Sequence, residues 1–229
     1  MSRKKIHRFL MDSPIPHGDT FEITDERVVH QVGRVLKMEV GEVLAVFSNG
    51  SGDTIGRIDS IDAQSITLEK INETDPIVSK RKIIAGVAIP KGDTFELIIQ
   101  KLTELGVSTI VPLITSRTVK QSVRIDRLQT ISDEALEQSG GSVRVSITEP
   151  KTLKECLQEF PFPSIGFEPG AAKEISIAPS DTVVIYVGPE GGWSEEDMKI
   201  LKDASWQGLG ERILRTETAA IVGAYELLR

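Results

Sequence analysis

From Arg81 onward the chain alternates apolar, β-favouring runs with stretches whose apolar residues recur at helical spacing, and no other feature constrains the fold as strongly. Residues 83–89 read as a buried strand closed by Pro90. Asp93 then offers a helix start, Phe95, Ile98, Leu102 and Leu105 form one apolar stripe, and Gly106 supplies the stop. Residues 109–114 form the next strand, 115–123 a loop, and 124–139 an amphipathic helix through Ile125, Leu128, Ile131 and Ala135, ended by Gly140-Gly141. Short strands at 143–147, 164–167, 183–187 and 206–209, with helices at 153–160, after Ser194 and over the last dozen residues, continue the pattern. Such alternation predicts an α/β domain over residues 81–229 built on a mostly parallel sheet.

Residues 1–72 read differently, as a small β-rich domain with one helix. Thr24, Asp25 and Glu26 offer a helix start, and Val28, Val29, Val32, Val35 and Leu36 follow at roughly helical spacing. Strands are expected at 43–47, 54–61 and 65–71, the first two joined by a hairpin at Asn49-Gly50. Gly50-Ser51-Gly52 with Gly56 superficially suggests a dinucleotide fingerprint. Its spacing is one residue too long, and a strand follows where a helix is required. The polar stretch NETDPIVSK marks a linker at 73–80.

The net charge of −7 argues against a protein that coats nucleic acid indiscriminately, without excluding a local basic surface. Arg3, Lys4, Lys5, His7 and Arg8 lie together, as do Lys80, Arg81 and Lys82, and Arg117, Lys120, Arg124 and Arg127. The three histidines, His7, His17 and His30, leave the α/β domain with none. The single cysteine, Cys156, excludes an internal disulfide and every multi-cysteine metal site, and no metal centre is expected. Chemistry that needs no histidine therefore rises in the ranking. No apolar run approaches the length of a membrane span, and residues 1–5 lead into no signal-peptide core, so a soluble cytoplasmic protein is expected.

Two glycine-marked loops follow strands late in the chain, where ligands of open α/β sheets bind. The first, GPEGG from Gly188 to Gly192, enters a helix capped by Ser194 and begun by Glu195, Glu196 and Asp197. Those carboxylates complement the positive helix end and would repel a phosphate, which favours a neutral or cationic ligand over a nucleotide. A tight turn with glycines at positive φ is the plain alternative. In the second, Glu211, Arg212, Arg215 and Glu217 bracket Ile213 and Leu214 ahead of a helix that is apolar on nearly every side, with Thr216 or Thr218 as its cap. Arg215, at the entry to a buried helix, meets a carboxylate, a phosphate or a ligand, or pairs with Glu217 or Glu190.

The strings GPEGGWSEED and LGERILRTETAA closely resemble the paired signatures of the RsmE family of SPOUT-class methyltransferases. HRFLMDSPIPHGD, HQVGRVLKMEVGE, KGDTFELIIQKLTELGVSTIVPLITSRTV and DEALEQSGG match upstream in the same order, so the resemblance covers essentially the whole chain. It implies S-adenosylmethionine-dependent methylation of N3 of a uridine in 16S ribosomal RNA of the small subunit. It also implies a SPOUT-type trefoil-knotted α/β domain preceded by a PUA-like β-barrel that grips RNA, a homodimer, and no DNA or membrane partner. By motif position Gly188, Glu190 and Gly191 line the cofactor pocket from one loop, and Leu209, Gly210, Ile213, Leu214 and Arg215 from the other, with Thr216 and Thr218 close by. Arg215, with Glu190 or Glu217, is the candidate catalytic apparatus; Arg8, Arg34, Lys91 and Arg117 are candidate RNA contacts. The sequence departs from the pattern at Lys37, Gly141 and Trp193, where arginine, arginine and phenylalanine are usual. The alternative function is a non-catalytic RNA-binding assembly factor that keeps the fold.

Overall fold

A computed structural model describes residues 6–119, 122–171 and 180–229. Of the basic clusters, Arg3, Lys4, Lys5 and Lys120 lie outside the described residues. The chain divides into two compact units, Met1–Val78 with Glu137–Arg144, and Ser79–Leu136 with Val145–Arg229.

In the first unit the strands are β1 (His7–Met11), β2 (Thr20–Ile23), β3 (Val43–Ser48), β4 (Thr54–Ile61) and β5 (Ile66–Glu73). They form one sheet in the order β1-β3-β4-β5-β2, in which β1 and β3 are parallel and the other pairs antiparallel. Gly50, at φ +83°, makes the turn of the β3–β4 hairpin, as the Asn-Gly signal predicts. The single helix expected after Thr24 is shorter. Helix α1 (Glu26–His30), capped by the Asp25 carboxylate on the Val28 N–H at 3.1 Å, runs into a π-helical turn over Gln31–Val35. Strands β1 and β2 were not foreseen, because each is only four or five residues long and has too few alternations to stand out. Phe9, Met11, Phe21, Ile23, Val28 and Val32 close the core between sheet and helix.

The unit also includes residues 137–144, far along the chain. The buried Glu137 carboxylate accepts the Leu10 N–H at 2.9 Å and an Arg27 N–H at 3.0 Å. Ser142 exchanges hydrogen bonds with Ile77 and accepts from Gly50.

The second unit runs β6 (Lys82–Ala88), α2 (Thr94–Leu105), β7 (Thr109–Ile114), α3 (Ile125–Ser139), β8 (Ser146–Ile147), β9 (Lys151–Thr152), α4 (Leu153–Glu159), β10 (Ser164–Phe167), β11 (Thr182–Val187), α5 (Glu195–Ile200), β12 (Ser205–Gln207) and α6 (Thr216–Leu228). The last turn of α3 belongs to the first unit. Every pairing of the sheet, β12-β10-β11-β6-β7-β8 with β9 beside β7, is parallel, so the fold is α/β as expected. Alternate residues of the central strands face opposite layers. Ile83, Ala85, Val87, Val183 and Ile185 pack with α2 and α6, while Ile84, Val184 and Tyr186 pack with α4 and α5. Gly106, at φ +85°, ends α2 where the sequence placed its stop. Among the described residues no helix is long and apolar enough to cross a membrane.

Candidate functional site

Strands β12, β10 and β11 lie side by side and parallel, which brings the loops leaving their C-terminal ends to one edge of the sheet. Between these loops and the start of α6 lies an open cleft of about 630 Å³, its mouth included. Phe167, Glu168 and Pro169 line it from β10, and Val187, Gly188, Pro189, Glu190, Gly192 and Trp193 from β11. Leu209, Gly210, Arg212, Ile213 and Leu214 line it after β12, and Thr216 and Ala219 from α6. The wall is mainly apolar, with three charged side chains.

Close packing holds the cleft's shape. The Trp193 indole N–H donates to the Phe167 carbonyl at 3.0 Å, tying the β11 loop to the end of β10, and its ring meets Trp206 edge-on at 5.9 Å. Gly188 lies against that indole, and a β-carbon there would come within 3.0 Å of it. The Thr216 hydroxyl donates to the Gly188 carbonyl at 3.1 Å, joining the start of α6 to the same loop.

A polar cluster around the buried Asp197 fixes the other side of the GPEGG loop. Ser194 and Asp197 cap α5 reciprocally, each side chain accepting the other's backbone N–H at 3.0 Å. Asp197, only 2% exposed, also accepts from the Ser116 hydroxyl at 2.9 Å. Burial alone would raise its carboxyl, but the hydrogen bonds from Ser194 and Ser116 outweigh that and hold it below the usual carboxylate range. The Thr115 and Thr118 side chains close the same turn, so Arg117 stands at the tip of a fixed loop and donates to the Gly191 carbonyl.

The residues singled out from sequence fall into three groups. Gly188, Glu190, Leu209, Gly210, Ile213, Leu214 and Thr216 meet around the cleft, whereas Gly191, Arg215 and Thr218 are not among its lining residues. Arg215 is exposed at the N-cap of α6, and Glu217 follows in the first turn; among the described residues neither side chain makes a hydrogen bond or ion pair. Thr216 and Thr218 do not cap that helix, since the Thr216 hydroxyl is directed at Gly188 instead. Exposed Glu190 accepts the Lys91 N–H at 3.2 Å. Of the RNA candidates, Arg34, Lys91 and Arg117 are exposed. Arg8 has a different occupation: it forms a bidentate pair with Asp53, donates to the Glu137 and Gly141 carbonyls, and lies 4.2 Å from the Phe47 ring centroid. Its donors serve the first unit's own fold. Cys156 is core, its thiol pushed up to about 11 mainly by burial, and so is no nucleophile.

Residues 78–226 match the family model described as RNA methyltransferase domain. A ribosomal RNA small subunit methyltransferase E of Bacillus subtilis is 30% identical over 235 residues, covering 93% of this chain and 91% of that protein. The chain belongs to the ribosomal RNA small subunit methyltransferase E family. A member from Rickettsia conorii is 29% identical over 95% of this chain and 93% of its own length. The crystal structure of the member from Neisseria gonorrhoeae bound to S-adenosyl methionine is 28% identical, covers 97% of both chains and superposes with a TM-score of 0.87.

Within this member of the family, Phe167, Glu168 and Pro169 were missed as lining residues, although a signal was present. The apolar run SIGF ends in EPG, a glycine- and proline-marked turn after a strand, the rule that singled out the other two loops. Trp193, Arg212 and Ala219 lie within the loops and helix already chosen, but only packing shows that they face the cleft.

Proposed function

We propose that the chain methylates N3 of a specific uridine in 16S ribosomal RNA, with S-adenosylmethionine in the cleft formed by the β10, β11 and β12 loops. The observation that carries this reading is the cleft itself, set within the segment that matches the RNA methyltransferase domain model. Its residues fit the cofactor. Phe167, Val187, Leu209 and Leu214 supply apolar wall for a purine and a thioalkyl chain, and the glycines leave backbone groups open to polar edges. Glu168, Glu190 and Arg212 offer both signs of charge to a ligand that carries both. The α5 start, beside the GPEGG loop, is not free for a phosphate, because it is already capped and acidic.

When bound, S-adenosylmethionine supplies a methyl group already activated by its sulfonium, so neither a metal nor a covalent nucleophile is required. The protein's part is positional and electrostatic. Arg215, exposed beside the cleft with an uncommitted guanidinium among the described residues, stabilises the uracil anion or a flanking phosphate. Glu190 or Glu217 takes the N3 proton or orients Arg215. Arg34 in the first unit and Lys91 and Arg117 in the second contact RNA phosphates, and Arg8 supports the first unit's part by fixing its fold.

In the same reading residues 1–72 are a PUA-like β-barrel, 73–80 a linker and 81–229 a SPOUT domain that is knotted and dimeric, in the cytoplasm. The chain's path supports the knot. After β12, at the sheet edge beyond β10, α6 packs on α2, β6 and β11, so the terminal segment returns past the β10 and β11 loops. The deciding experiment incubates small ribosomal subunits with labelled cofactor and maps the modified nucleoside by mass spectrometry. A 3-methyluridine at one position is expected. Cofactor binding without any RNA methylation would instead indicate a non-catalytic assembly factor.

A further inference from the structure

Three charged side chains line the cleft, and they are not equivalent. Glu190 is exposed and already accepts the Lys91 N–H. Arg212 is exposed. Glu168 is half-buried, and among the described residues its carboxylate accepts no hydrogen bond; its backbone N–H is taken by the Gln207 carbonyl at 3.0 Å. Arg117, whose charge acts on it, is engaged with the Gly191 carbonyl. Burial holds the Glu168 carboxyl above its usual range, and Arg117 offsets this only in part. A carboxylate in this position is stabilised by a ligand that brings positive charge. A neutral ligand closing over it removes water and returns nothing.

We infer that Glu168 recognises the positive charge of the methyl donor, so that the cleft holds the sulfonium form more tightly than the neutral thioether left after transfer. The inference rests on the cofactor reading above. In the transfer, N3 bonds the methyl carbon and gives up its proton to base or solvent, while the electron pair of the broken S–CH3 bond stays on sulfur. Donor and product therefore differ in the cleft by one positive charge. Glu168 turns that difference into exchange, favouring departure of spent cofactor and entry of fresh cofactor.

The test is titration calorimetry on the full chain, wild type and Glu168→Gln, with S-adenosylmethionine and S-adenosylhomocysteine. The wild type should prefer the sulfonium by roughly tenfold, the scale of one charge pair partly screened by water at an open cleft. Glu168→Gln should lose most of that preference through weaker binding of S-adenosylmethionine, with S-adenosylhomocysteine bound as well as before or better. An equal loss for both ligands would place Glu168 at a group the two share and overturn the inference, as would an unchanged preference. A wild type that binds neither ligand would bring down the cofactor reading itself. A second measurement needs no variant: an analogue with an ammonium in place of the sulfonium should bind the wild type more tightly than S-adenosylhomocysteine. Equal affinity there overturns the inference.

Discussion

Asp197 and Arg215 stand in opposite circumstances, and each makes a different prediction. Asp197 is spent on structure: three hydrogen bonds, from the Ser194 N–H and from the Ser116 N–H and hydroxyl, hold it ionised while it is buried. Its folded-state pKa lies below the unfolded value, so its contribution is fully present above the unfolded pKa and is lost as pH falls through the folded one. Asp197→Asn should therefore lower stability at about pH 7 by roughly 1.5–3 kcal/mol, the worth of hydrogen bonds to a charged group. The gap from wild type should close as the solution is taken below the ordinary carboxylate value of 3.8, as read by urea unfolding across that range. A gap independent of pH would mean that shape, not charge, carries the effect. Arg215, by contrast, has nothing to hold among the described residues, so its removal should leave the fold alone. Arg215→Ala is expected to melt like the wild type and to lower the single-turnover methylation rate about a hundredfold at saturating substrate and cofactor, the scale for one transition-state contact. A normal rate would remove Arg215 from the chemistry.

At the level of elements, the approach of α6 to β10 sets the back of the cleft. Gly223 permits it: a β-carbon there would lie 2.3 Å from Phe167 Cε2, inside a packed core. Alanine favours a helix over glycine by about 1 kcal/mol, but overpacking a buried ring costs about 1–3 kcal/mol, and the only open space Phe167 meets among the described residues is the cleft it lines. Gly223→Ala should thus lower the melting temperature and weaken S-adenosylmethionine binding together, because the displaced ring lines the cleft. A raised melting temperature with unchanged affinity would show that α6 moves instead. This contact also marks where sequence reading ends. The α6 helix, the Gly106 stop and the Ser194 cap were legible, since each rests on neighbours within a few residues. Two of the three cleft loops were legible for the same reason. The distance between Gly223 and Phe167, the turn of Thr216 from cap to Gly188, and the enlistment of Arg8 by Asp53 were not. Each is set by a partner tens of residues away, and only the packed fold selects it.

For the whole molecule, the consequential fact is that the chain visits its first unit twice. Helix α3 begins in the second unit and ends in the first, where Glu137 takes the Leu10 and Arg27 donors. A continuous helix cannot lose its last turn to one unit's unfolding without weakening the turns before it, since propagation depends on the hydrogen bonds of adjoining turns. The two units should therefore unfold as one cooperative transition. Both tryptophans, Trp193 and Trp206, lie in the second unit, so their fluorescence reports on that unit alone. Glu137→Gln weakens the first unit directly, replacing a buried carboxylate paired to the half-exposed Arg27 with a neutral amide at a cost of about 1.5–3 kcal/mol, the worth of hydrogen bonds to a charged group. If the units are coupled through α3, the fluorescence midpoint in urea should fall by as much as the midpoint followed by far-ultraviolet circular dichroism, and the two curves should stay superimposed. If instead the fluorescence curve holds its wild-type midpoint while the dichroism curve splits, the units unfold separately. In that case the return of residues 137–144 fastens the first unit without binding its stability to the unit that carries the cleft.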